Sequence, residues 1–291
     1  MNESKPFIEV QDLVYAYPDE TVALRGINLT IAEGEFIALI GQNGSGKTTL
    51  SKCLNGLFKP TSGDVIVDGL NTKTTSIVQM VRRVGYVFQN PEHQFVEQRV
   101  EDELLYSLRL RDRPPAEIEA IGQELLDSFG LTPYRKRNPF SLSQGEKRRL
   151  SVATMLSVGQ RVLVLDEPTF GQDRHTAHAL MTHLRALHEQ GVTIFIITHD
   201  MQLVADYAQL VAVLVNGRIR YVGPTAGLFA NQGLLDEASL RALSFHKLAR
   251  LLKVSYADGS EPMSIRDWLP FFGLPKGSPN QIVAGANWRN S

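Results

Sequence analysis

The chain has 291 residues, of which 43% are hydrophobic, with 30 Lys and Arg against 31 Asp and Glu. That suits one large domain or two small ones around a sizeable core, and the near-zero net charge gives no electrostatic ground for a nucleic-acid partner. A lone cysteine, Cys53, excludes an internal disulfide and fits a cytosolic setting. With no apolar leader in MNESKPFIEV and no apolar run near the roughly 18 residues of a spanning helix, the chain reads as soluble, yet able to dock on a membrane protein.

Short β-like runs open the chain. FIEV (7–10) comes first, and INLTI (27–31) alternates, with Ile27, Leu29 and Ile31 on one face of a half-buried antiparallel strand. FIALI (36–40) is apolar throughout, as are most of VLVLD (162–166) and TIFIIT (193–198), the pattern of parallel strands buried on both faces. DVIVDG and GYVF supply further strands. From about residue 90 to 160 the spacing turns helical, in DELLYSLRL, IEAIGQELLDSFGL and SLSQGEKRRLSVATML, which reads as a helical insertion into an α/β core. VAVLVN and RIRYV flank Asn216-Gly217, a hairpin signal. After Pro224 a different segment begins: residues 234–253 read as helix, Ser264 to Asp267 offers a capping box, and the remainder is loop-like. The expected organisation is a core of residues 1–89 and 159–223, a helical subdomain of 90–158 and a C-terminal extension of 224–291.

GQNGSGKT is the strongest chemical signal. Gly41, Gly46, Lys47 and Thr48 satisfy G-x-x-x-x-G-K-[ST], with a buried strand before and a helix after. Such a loop wraps phosphates with backbone N–H groups at a helix N-terminus. Lys47 is expected at the β- and γ-phosphates and the Thr48 hydroxyl on Mg²⁺, so the nucleotide-binding set is Gly41, Gln42, Asn43, Gly44, Ser45, Gly46, Lys47, Thr48 and Thr49. VLVLDEPT sets Asp166 at the carboxyl edge of the sheet as the Mg²⁺-side carboxylate, followed by Glu167, placed to orient an attacking water.

Ser143 and Glu146 fit a capping box, but Gly145 in the first helical turn costs about 1 kcal/mol against alanine. A missing Cβ there permits close approach of a phosphate. Lys147-Arg148-Arg149, at the start of that helix, reads as a solvated basic face. His175, His178, His183 and His188 share one helix without cysteines or convergent carboxylates and do not read as a metal site.

Taken in order, the phosphate loop, Gln89 after GYVF, LSQGE before the Asp166 strand, FGQD (170–173) and His199 after TIFIIT resemble the nucleotide-binding subunit of ATP-binding cassette (ABC) transporters over roughly residues 7–223. The resemblance implies a P-loop NTPase core, a mostly parallel sheet with an antiparallel β subdomain, plus a helical subdomain and a C-terminal extension. It implies ATP and Mg²⁺ as cofactors, with Gln89 touching Mg²⁺ or its water. Tyr17 in YAYP would stack on adenine and His199 would reach the γ-phosphate. Ser143, Gln144 and Gly145 form the signature motif, and Asp173 lies in a loop crossing the interface with a second ABC subunit, whose ATP the signature completes. FQNPEHQFVEQRVEDEL and the extension look like energy-coupling factor ATPases, implying a membrane scaffold and a substrate-binding membrane component as partners and a peripheral place on the cytoplasmic face of the membrane. An importer of another ABC type is the nearest alternative, followed by a non-transport ABC ATPase acting on nucleic acid or the ribosome.

Overall fold

The computed structural model describes residues 6–109, 114–156 and 159–240. Its first sheet is antiparallel. β1 (Pro6–Ala16) and β2 (Val22–Ala32) form a long pair, and β4 (Ser62–Val67) and β5 (Leu70–Asn71) extend it in the order β2-β1-β4-β5.

The second sheet has six strands. β3 (Phe36–Ile40), β6 (Val84–Val87), β7 (Val162–Asp166), β8 (Thr193–Ile197), β9 (Leu210–Val215) and β10 (Arg218–Pro224) lie in the order β10-β9-β3-β8-β7-β6. All neighbours are parallel except β10, which returns beside β9 through Asn216 and Gly217. Both turn residues have positive φ, 48° and 74°, as a tight hairpin turn of this kind requires.

The continuous apolar runs have a direct cause. Phe36, Ala38 and Ile40 of β3 enter one buried cluster with Leu163, Leu165, Ile194 and Ile196, while Ile37 and Leu39 enter another with Val162, Val164, Phe195 and Ile197. Successive side chains point to opposite faces, so a sheet covered on both sides needs apolar residues at every position. On the second face lie α1 (Lys47–Leu54) and the antiparallel sheet, with the short α2 (Ile77–Met80) at its margin. On the first face lie α5 (Gln144–Leu156), α6 (Arg174–Glu189) and α7 (Met201–Tyr207).

The helical region holds α3 (Val100–Arg109) and α4 (Pro115–Ser128) with three short 3₁₀ turns, at Pro91–Gln94, Thr132–Tyr134 and Pro139–Ser141. Leu105, Leu108 and Ile118 make a small core of its own, while Leu104, Leu126 and Leu150 belong to the main one. After Pro224, α8 (Thr225–Ala230) and α9 (Gln232–Glu237) bury Leu228, Phe229, Leu234 and Leu235 in that same main core. The helix expected from Leu234 thus starts two residues earlier, and it stops at Glu237, with Ser239 at φ 49°. The rest of that expected helix and the Ser264 capping box lie outside the described residues. Among the described residues no helix is long and apolar enough to cross a membrane.

Candidate functional site

The loop Gly41–Gly46 leaves β3 and enters α1 at Lys47. Gly41 has φ 151° and Gly46 φ 106°, values that L side chains rarely adopt. A Cβ on Gly41 would lie 2.1 Å from the Leu214 carbonyl oxygen, and one on Gly46 would lie 2.9 Å from that of Ala23. The glycines are required by this chain's own backbone, before any phosphate is considered. The hairpin turn supports the loop: Gly217 N–H donates to the Ser45 carbonyl at 3.0 Å, and Arg25 N–H to the Gly217 carbonyl at 2.8 Å.

The donor set fits a polyphosphate. Gly46 leaves the first amides of α1 without a side-chain cap, and the buried Ser45 Oγ has no protein partner. Lys47 is 7% exposed and its Nζ donates to the carbonyls of Gly41 (2.9 Å) and Gln42 (2.8 Å). Burial pulls the Lys47 pKa down, against the opposing pull of Glu167 and Asp166. The site also fits a hard cation. Thr48 Oγ1 donates to Asp166 Oδ2 at 3.0 Å, and burial raises the Asp166 carboxyl above its ordinary value. A divalent cation beside that carboxylate would favour its charged form.

Glu167 follows the last residue of β7 and has φ 50°, a left-handed conformation costing a non-glycine residue roughly 1–2 kcal/mol. Its amide donates to the Ile197 carbonyl at 2.9 Å, and its Oε1 lies 2.8 Å from His199 Nδ1. Tyr17 lies just beyond β1, 36% exposed. Its hydroxyl is 2.7 Å from Thr49 Oγ1, and its ring stands edge-on to Tyr15 and Phe58. Tyr17, Asn43, Gly44, Lys47, Gln89 and Glu167 all line one cleft of about 830 Å³, which also includes Thr48, Thr49 and Asp166.

Ser143, Gly145 and Asp173 lie elsewhere, around a second cleft of about 440 Å³ that shares no residue with the first; Gln144 lines that cleft and also an intervening one of about 530 Å³ that reaches Thr48, Gln89 and Asp166. The capping box forms: Ser143 N–H donates to Glu146 Oε2 at 2.8 Å, and Glu146 N–H to Ser143 Oγ at 3.4 Å. Asp173 caps α6, accepting from the Thr176 amide at 2.9 Å and the Thr176 hydroxyl at 2.8 Å. Gly145 has a reason that the sequence alone does not disclose, since a Cβ there would lie 2.5 Å from Thr176 Cγ2.

The ABC transporter family profile matches residues 24–170, half of the chain. The chain belongs to the ABC transporter family. It is 42% identical over 257 residues to a putative ABC transporter ATP-binding protein of Caldanaerobacter subterraneus, covering 88% of this chain and 45% of that one. The chain thus spans about half the length of that relative. It is 39% identical over 236 residues to the energy-coupling factor transporter ATP-binding protein EcfA of Methanothermobacter thermautotrophicus, covering 80% and 76%. Among solved structures, CbiO1 of Clostridium perfringens, described as part of the ABC transporter complex CbiONQ, superposes with a TM-score of 0.74 at 31% identity, covering 86% and 99%. A dimeric ATP-binding cassette bound to ADP and Pi superposes with a TM-score of 0.68 at 25% identity, covering 75% and 98%.

Two residues of this ABC cassette escape a reading by motif. Tyr86 carries its buried hydroxyl to Ser51 Oγ (3.0 Å) and Asp166 Oδ2 (3.4 Å), and burial raises its pKa. Arg148, expected on a solvated face, is 2% exposed, and Lys147 is buried beside it with its Nζ 2.6 Å from Glu92 Oε1. Helix α5 is enclosed on most sides, so Leu150 and Val152 are buried as well as the basic pair. A basic run set directly before so apolar a continuation (LSVATML) was the available signal.

Proposed function

We propose that this chain is the ATP-hydrolysing subunit of a membrane importer of the energy-coupling factor type, working as one half of an ATPase pair. The observation that carries the reading is that Ser143, Gly145 and Asp173 line a cleft apart from the one formed by the phosphate loop. A head-to-tail pair brings one chain's phosphate loop to the other's signature residues. The dimeric neighbour with ADP and Pi supports the pairing, and EcfA and CbiO1 support the transporter type.

Bound Mg·ATP supplies the transferable phosphoryl group and a divalent charge that polarises it. Within the pair, the amides of Gly44 to Thr48 and the Lys47 ammonium would hold phosphate oxygens, while Thr48, Gln89 and Asp166 would hold the cation and its water. Tyr17 packs on the adenine. Glu167 accepts a proton from the attacking water, and His199 keeps the Glu167 carboxylate in place and reaches the γ-phosphate. Ser143, Gln144, Gly145 and Asp173 of one chain complete the site of the other, and losing one such donor removes about 2.7–4 kcal/mol of transition-state stabilisation.

The division into a core of 1–89 and 159–223, a helical subdomain of 90–158 and an extension of 224–291 goes with this reading. An apolar groove of about 380 Å³ supports a membrane partner. Leu57, Val78 and Val81 line it at 45%, 60% and 49% exposure, and Tyr86 and Phe88 join it to the strand that leads into Gln89. A short apolar helix of the membrane scaffold suits such a groove, which supports a peripheral place on the cytoplasmic face. A vitamin or a metal ion is the transported class, recognised by the membrane component. In gel filtration with Mg·ATP, Glu167→Gln is expected to elute as an ATP-loaded dimer while hydrolysing below one hundredth of the wild-type rate. A variant that hydrolyses as fast as wild type removes Glu167 from the mechanism, and one that neither binds ATP nor dimerises removes the ATPase reading.

A further inference from the structure

Among the described residues Arg148 is the least exposed Lys or Arg, and it is bonded to backbone. Its Nη1 donates to the Phe88 carbonyl at 2.5 Å, and its Nη2 to the carbonyls of Gln89 at 2.6 Å and Glu167 at 3.5 Å. Among the described residues no carboxylate lies within ion-pairing distance of it; Asp166 and Glu167 act on it only through their fields. Burial lowers the Arg148 pKa to about 10, which leaves the guanidinium charged at neutral pH. A buried charge held without a counter-ion is costly unless its donors are satisfied, so the position is demanding.

Three carbonyls from two distant segments converge on one planar fork. Phe88 and Gln89 follow β6 and open the loop beside the cation site, whereas Glu167 carries the left-handed backbone that turns β7 towards His199. Arg148 itself rides on α5, one turn beyond Gly145. We propose that Arg148 is a positioning residue that ties the Phe88–Gln89 loop and the strained Glu167 backbone to the signature helix, so that a displacement of α5 is felt at the carboxylate that handles water. Glu167 sits in a disfavoured conformation that persists only where its surroundings over-determine it, and Arg148 supplies one of those constraints. Its fork reaches several acceptors at once, a geometry that the single ammonium of lysine cannot reproduce. The turnover arm of the test rests on the ATPase reading above; the exchange arm does not.

The test compares wild type with Arg148→Met and Arg148→Lys by amide hydrogen exchange, ATP turnover and thermal melting. Arg148→Met is expected to accelerate exchange at residues 88–90 and 167–170 by at least tenfold over any change in β3 or β8. It is expected to lower kcat at least thirtyfold with KM for ATP within twofold. Arg148→Lys, which keeps the charge but not the fork, is expected to recover kcat only in part, to about three- to tenfold below wild type, again at unchanged KM. A purely structural role predicts exchange that rises throughout and KM and kcat that worsen together as Tm falls, and that result overturns the proposal. Should Arg148→Met not fold, Arg148→Lys decides alone: wild-type kcat with wild-type exchange at both segments overturns it. Wild-type protein that hydrolyses no ATP refutes the ATPase reading, and the exchange pattern still decides the clamp.

Discussion

His199 Nδ1 lies 2.8 Å from Glu167 Oε1, across the carboxyl ends of two neighbouring parallel strands. The pairing follows from register: Asp166 sits opposite Ile197, so the residues just beyond each strand end face one another at the sheet edge. Glu167 is 8% exposed, whereas the His199 side chain is 59% exposed. The histidine therefore approaches from solvent and fixes a carboxylate that is already enclosed. His199→Ala is expected to reduce single-turnover ATP hydrolysis by about a hundredfold, the loss of one preorganised donor. ATP affinity should stay within threefold, since Lys47 and the loop amides are untouched. Unchanged turnover would show that the contact plays no part in hydrolysis.

Gly145 and Thr176 give a prediction that needs no nucleotide. A Cβ at 145 meets Thr176 Cγ2 at 2.5 Å, so Gly145→Ala overpacks the approach of α5 to α6. The clash is expected to offset alanine's helix preference and leave a net loss of about 1–2 kcal/mol in urea unfolding. Thr176→Ser deletes the offending methyl and keeps the hydroxyl on Asp173. The double variant is expected to be more stable than Gly145→Ala, and a purely additive pair would show that the two residues do not meet.

Tyr17 separates ring from hydroxyl. Its hydroxyl is engaged by Thr49, while the ring forms part of the cleft wall. By calorimetry, Tyr17→Phe is expected to bind ATP within threefold of wild type and Tyr17→Ala at least tenfold more weakly, in line with about 1–3 kcal/mol for base–aromatic stacking. Inorganic triphosphate should bind all three proteins alike. Equal ATP affinity for Tyr17→Ala would place the base elsewhere.

Cys53 is fully buried in α1, and burial raises its pKa to about 12. Between the unfolded thiol value, about 8.5, and that figure, only the unfolded state gives up the proton, so stability falls as pH rises. The contribution is complete below the unfolded value and is lost upward through the window, by up to about 1.4 kcal/mol per pH unit. Wild type should therefore lose stability relative to Cys53→Val between pH 8.5 and 10, measured by urea unfolding, with parallel profiles below pH 8. Parallel profiles across the whole range would contradict the buried thiol.

Residues whose role follows from local period or spacing were legible before the structure. The continuous apolar strands, the Asn216-Gly217 hairpin, the phosphate loop and the Ser143–Glu146 capping box all took the expected form, because strand faces and turns are decided within a few residues. Arg148 and Tyr86 were not legible. Their partners are carbonyls or hydroxyls tens of residues away, and no spacing rule records such a meeting. The basic run was misjudged because its helix is enclosed by the fold, whereas charge patterning presumes a free face. Gly145 was visible as an anomaly, but the neighbour that demands it, Thr176, belongs to a different helix.

The hairpin turn at Asn216-Gly217 braces the phosphate loop through Ser45, and Leu214 and Ala23 press against Gly41 and Gly46, two of its three glycines. The cradle is thus moulded by strands that lie outside the loop motif. Sequence drift in the β9–β10 edge or in β2 can therefore detune nucleotide grip while every residue of the loop motif stays intact. A search for inactive copies of this cassette that inspects the motif alone would pass them all.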